Sequence, residues 1–224
     1  MSDVTEFAFD EYDPKNYSLE VTAWPTDPDT HTALQRYIRE RSHGNSVGFA
    51  APMMSFAGAN LVGMDLSEAY LFGANLDSVV IARVDLNRAV LSGVSMKRAD
   101  LSGSYMHKVE AVEIYGPHVN LSRSNLFRAD LVGAELFGAN LVDAQLSSTN
   151  LGSCNLETAD MRGCQFGPSR TYLSDARMAG VLIEGAIGEI VGPVFVDDGR
   201  LLDGEELQAW FAARGAPDMK VSTR

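Results

Sequence analysis

The sequence predicts an all-β coil, and three observations predict it. From Met54 to Pro168 the chain divides into twenty-three consecutive blocks of five residues that never change phase. The third position of each block is leucine or another large apolar residue in almost every copy, from Phe56, Leu61 and Leu66 to Leu156, Met161 and Phe166. The first position is small or β-branched almost throughout, with alanine in ten blocks and valine in five, and the second is Asp or Asn in twelve. A repeat of this kind sets the architecture before any local assignment is made.

A period of five is neither the 3.6 of a helix nor the 2 of a flat strand. Positions one and three lie two apart, so in an extended piece their side chains share one side while position two points the other way. Positions four and five then turn the chain, and Gly58, Gly63, Gly73, Gly103 and Gly138 fall there. A short extended piece plus a corner, repeated, winds into a coil whose interior receives positions one and three. Leucine fills the centre, and alanine fits where the walls converge. Asp or Asn at position two bonds neighbouring backbone and tolerates turn geometry.

The runs Ala59-Asn60-Leu61, Ala74-Asn75-Leu76, Ala99-Asp100-Leu101, Ala129-Asp130-Leu131 and Ala139-Asn140-Leu141 resemble the pentapeptide-repeat family, and the match covers about half the chain. The resemblance implies a right-handed quadrilateral β-helix with four blocks per coil. Residues twenty apart then stack in columns, such as Leu66, Leu86, Met106, Leu126 and Leu146. It also implies a function for some bacterial members, which bind DNA gyrase or topoisomerase IV, imitate duplex DNA and protect against quinolones or peptide toxins. Such members often pair through a C-terminal helix.

Taken in order, residues 1–53 form a non-repeating N-terminal cap. Tyr17 to Trp24 reads as a strand broken by Pro25 and Pro28. A helix follows from Asp29 or Thr30 to about Ser42, with Gly44 as its stop. Residues 54–185 form the coil. Its weak stretch is Val109 to His118, where position three holds Ala111 and Gly116; the phase survives on both sides, so a distorted coil is expected rather than a loop. A seven-residue step follows Phe166, and the blocks resume at Leu173, Met178 and Ile183. Residues 186–224 hold a hairpin around Asp198-Gly199 and a helix opened by Asp203 with Glu206. Leu207, Trp210 and Phe211 form that helix's apolar stripe, the candidate dimerisation surface, and a homodimer is expected.

The net charge of −12 argues against direct binding of nucleic acid or anionic membranes. No apolar run approaches a membrane span, and the acidic stretch from Met1 to Asp13 lacks a secretory pattern, so a soluble cytoplasmic protein is expected. Cys154 and Cys164 both occupy position one, half a coil apart, and read as buried thiols acting as small hydrophobes. The four histidines share no metal-ligand spacing, and no phosphate-cradling loop or nucleophile motif appears. The expectation is a protein without catalysis, cofactor or metal.

Surface charge carries what remains. Arg88, Lys108 and Arg128 are twenty apart and stack as a positive column; Asp65 and Asp85 stack as a negative one. Tyr115 and His118 mark the weak stretch as a local surface feature. These seven residues are the candidate partner-binding positions. The function expected is a non-enzymatic scaffold for an unidentified protein partner, and the alternative is a DNA mimic acting on gyrase or topoisomerase IV.

Overall fold

The computed structural model describes residues 17–222, and its organising feature is a run of parallel bridges between residues twenty apart. They begin at Ala50↔Tyr70 and continue through Asn75↔Ser95, Asp100↔Asn120 and Asn125↔Gln145. Four five-residue blocks therefore complete one coil. The coil starts one block earlier than the sequence places it, because Phe49 and Ala51 already point into the interior. Position two defines four faces, whose third column runs Asp65, Asp85, Tyr105, Asn125, Gln145.

The interior is filled as the pattern predicts. Positions one and three are buried along the stack, including Leu66, Leu86, Met106, Leu126 and Leu146. The weak stretch stays inside the coil: Gly116 donates its N–H to the Glu135 carbonyl at 2.8 Å. A Cβ on Gly116 would lie 3.2 Å from Met96 and 3.3 Å from Leu136, so its two column neighbours have already closed the space.

Both ends are sealed. Helix α1, Pro28–Ser42, is capped by the Asp27 carboxylate, which accepts from the Thr30 N–H at 2.8 Å, two to three residues before the expected cap. Its Leu34 and Tyr37 are buried, and Tyr37 meets Phe49, which meets Phe56. The expected strand over Tyr17–Trp24 is reduced to one antiparallel bridge, Ala23↔Asn60. It belongs to an arm that runs backwards around the first coils, bonding Gly63 at Ser18 and Ala57 at Thr26.

The seven-residue step lies in strand β1, Gln165–Tyr172, after which Asn150 pairs with Tyr172. Strands β2, Ala176–Arg177, β3, Ile187–Val191, and β4, Val194–Phe195, extend the parallel stack past residue 185, with β3 on β1 and β4 on β2. Gly188 makes this possible: its φ is 125°, and a Cβ there would lie 2.5 Å from backbone atoms of Phe166 and Gly167. Strand β5, Leu201–Leu202, completes the expected hairpin with β4, and β6, Met219–Ser222, pairs with β3. Between them helix α2, Gly204–Ala212, is capped by Asp203.

Candidate interaction surface

Backbone hydrogen bonding explains what each outward position is free to do. Within the stack, the N–H at positions one, two, three and five bonds a carbonyl of the same or a neighbouring coil, as in Ala89→Leu86, Asp85→Met64, Leu86→Tyr105 and Arg88→His107. The N–H of position four has no such partner and must find one elsewhere. All twelve Asp and Asn residues at position two supply it, their Oδ1 accepting from position four at 2.8–3.3 Å. The aspartates at this position are thus turn-forming groups folded onto their own backbone, whereas Glu135 turns outward to Arg177 and Asn155. Where position two is Tyr105, the His107 N–H turns to Asn87 Oδ1, at 3.0 Å.

Position five is left-handed from Met53 to Gly163, with φ between 54° and 60° at Glu68, Arg83, Arg88, Lys108, Arg123 and Arg128 among others. Its side chains lie along the rod over the same corner of the next coil, and glycine there makes room. Arg83 passes over Gly103, Glu113 over Gly133 and His118 over Gly138. The corner of Arg88, Lys108 and Arg128 carries no glycine, and Ser148 follows on the next coil.

The structure brings these three bases together on one corner. Arg88 makes only a 3.9 Å contact with Glu68, with both side chains well exposed; among the described residues Lys108 and Arg128 make no ion pair. Arg128 lies over the Phe127 ring at 5.0 Å, and His107 stacks on the same ring at 5.3 Å. The Nε2 of His107 is buried without a hydrogen-bond partner. Burial, and then the charges of Lys108, Arg128 and Arg88, holds this imidazole below its ordinary pKa.

The other candidates are dispersed. Asp65 and Asp85 are 6% and 1% exposed, so they do not form an outward acidic column. Arg41 of α1 pairs with Asp65, and the Tyr17 hydroxyl donates to Asp85 at 2.8 Å. The sequence pattern gave no signal for this, because the covering arm lies outside the repeat. Tyr115 is exposed on the first face with Lys97 over its ring, and His118 packs edge-on against Phe137; both lie away from the basic corner.

The expected dimer stripe is also corrected. Leu207 and Phe211 are fully buried and Trp210 is 7% exposed within one chain, so the stripe seals the last coil. Trp210 Nε1 donates to Asp197 at 3.3 Å, and Arg214 covers its ring while pairing with Asp197. Cys154 and Cys164 are buried and free, as expected, and donate to the Leu131 and Leu141 carbonyls. Burial pushes the Cys154 thiol up to about 12.

Fold and surface together define a solid repeat rod with outward-facing side chains and, among the described residues, no cluster able to hold a metal. A family model of pentapeptide repeats matches in eight copies over residues 55–79, 71–107, 117–141 and 139–167, and the chain belongs to this family. The unmatched gap falls on the weak stretch. Among solved structures, HetL, a pentapeptide repeat protein involved in heterocyst differentiation regulation from the cyanobacterium Nostoc sp. strain PCC 7120, is 18% identical. The alignment covers 75% of this chain and 98% of HetL with a TM-score of 0.55, which shows a shared fold. QnrB1, a plasmid-mediated fluoroquinolone resistance protein, is 20% identical over 78% of this chain and 82% of its own, with a TM-score of 0.31. A pentapeptide repeat protein of the Arabidopsis thaliana thylakoid lumen is 20% identical over 63% and 77%, with a TM-score of 0.24. No curated protein matches the chain.

Proposed function

We propose that this chain is a non-enzymatic, cytoplasmic interaction scaffold whose right-handed, four-sided rod presents a basic corner to an acidic surface of a protein partner. The observation that carries the reading is the stack of Arg88, Lys108 and Arg128 on consecutive coils, outward and almost unpaired. Proteins use such complementary fields to steer encounter and to reject wrong partners. Pairing of two copies would need a surface other than α2, whose apolar side chains are already covered.

DNA mimicry on gyrase or topoisomerase IV is the second reading, suggested by the family and by what QnrB1 is named for. A duplex carries unbroken negative charge along its length. Here Asp65 and Asp85 are covered, and residues 83–128 hold seven basic and four acidic residues. Those features favour the scaffold. A gyrase supercoiling assay, with and without a quinolone, separates the two: the scaffold leaves supercoiling and drug action unchanged at micromolar protein. Salt-sensitive inhibition or drug protection establishes the mimic instead.

A further inference from the structure

An exposed apolar patch adjoins the basic corner on its fourth-face side. Tyr70 and Phe72 are each 45% exposed, and their rings stack nearly parallel with centroids 6.4 Å apart. Met53, 73% exposed, donates its N–H to the Phe72 carbonyl at 2.9 Å and lies over Gly73. Val90, half-buried, pairs with Tyr70 on the next coil. Single exposed apolar residues are ordinary, and Tyr172, Leu182 and Ile187 stand one to a face near the other end. Met53, Tyr70, Phe72 and Val90 are instead contiguous.

The two corners that border the patch differ in charge. Beyond Phe72 the corner carries Met53, Gly73 and Gly93 before Glu113, and a Cβ on Gly93 would meet only the Gly73 Cα, at 4.0 Å. Before Tyr70 it carries Glu68, Arg88, Lys108 and Arg128. The Glu68 and Arg88 side chains are 72% and 63% exposed and meet only at 3.9 Å, so a second carboxylate can displace Glu68. Further along the fourth face stand Glu110 and Asp130, the latter bonded to the Val132 N–H. An acidic ligand leaving the patch is therefore repelled from the fourth face and held to the basic corner.

We propose that the patch and the basic corner form one docking surface for a segment of a protein partner in which an apolar anchor precedes acidic residues. The anchor seats on Tyr70 and Phe72, with Met53 and Val90 at its edges, and the acids follow Arg88, Lys108 and Arg128 along the rod. This rests on the scaffold reading and adds to it an anchor and a direction. Coils stack at about 4.8 Å, so the three bases span about 10 Å, which three or four extended residues cover at about 3.3 Å each. Buried aromatic contacts supply most of the energy at such surfaces, and charge selects the partner.

Fluorescence anisotropy with the full chain tests this, using a labelled peptide in which tryptophan and leucine precede four glutamates, and labelled hexaglutamate beside it. Asn150 and Ser92 occupy the columns of Tyr70 and Phe72, so Y70N/F72S keeps the coil. Glutamate is compatible with position five, where Glu68 and Glu113 adopt φ of 57° and 55°, so R88E/K108E/R128E keeps it too. Y70N/F72S is expected to weaken the anchored peptide by about fivefold or more and to leave hexaglutamate within about twofold. R88E/K108E/R128E is expected to weaken both by about tenfold or more. An anchored peptide that binds no tighter than hexaglutamate, or is indifferent to Y70N/F72S, overturns the docking surface while the basic corner stands. If the base reversal changes neither peptide, the scaffold reading falls with it. A dimer dispersed by Y70N/F72S would seat a second copy on the patch, and a free peptide of residues 1–16 binding tighter than the anchored one would assign it to this chain's own segment; either result overturns the partner.

Discussion

At the residue scale, position two shows how a recurring acidic residue acquires a structural job. The coil leaves the position-four N–H without a backbone carbonyl, and a short Asp or Asn side chain two residues earlier reaches it. Asp130→Ala should therefore lose about 1 kcal/mol of stability in thermal or denaturant unfolding, while Asp130→Asn loses almost none, because the accepting oxygen remains. Equal losses would show that charge matters here rather than the bond.

His107 reports on the basic corner. Its folded-state pKa lies below the ordinary value, so the neutral ring is favoured. Its contribution to stability is present above the unfolded pKa and is lost as pH falls below it, when the unfolded chain takes up the proton first. R88E/K108E/R128E removes three cations and adds three carboxylates, so an NMR titration should show the His107 pKa rising. An unchanged value would mean that burial alone sets it.

At the scale of elements, the repeating block was legible in the sequence and the ends only partly so. Positions one and three, the corner glycines and the phase through Gly116 all follow from local alternation, which the sequence displays directly. The arm that covers Asp65 and Asp85 was not legible, because a contact between Tyr17 and Asp85 spans 68 residues and carries no period. The stripe of Leu207, Trp210 and Phe211 was visible as apolar, but whether it covers its own coil or another chain depends on where α2 docks. Trp210→Ala should lower thermal stability while sedimentation shows no change of mass; dissociation of a larger species would restore the dimer stripe. In the stack itself, Leu126→Ala should cost about 2–5 kcal/mol, since the surrounding coils cannot collapse into the void. A loss below about 0.5 kcal/mol would contradict the packing of the column.

At the scale of the molecule, charge is banded along the rod. The three coils from residue 83 to residue 128 are net positive in a chain of net charge −12. Exposed charges interact over a screening length of about 8 Å at physiological ionic strength, so this band acts locally while the ends repel long anions. The central claim is that outward bases carry recognition and position-two aspartates carry the fold. Its most direct test is the affinity of the chain for a partner cross-linked to it in cells, compared between wild type, R88E/K108E/R128E and D100N/D130N. The account predicts that the base reversal lowers affinity by about tenfold or more and that D100N/D130N leaves it within about twofold. Loss of binding in D100N/D130N with full binding retained by the base reversal would contradict it.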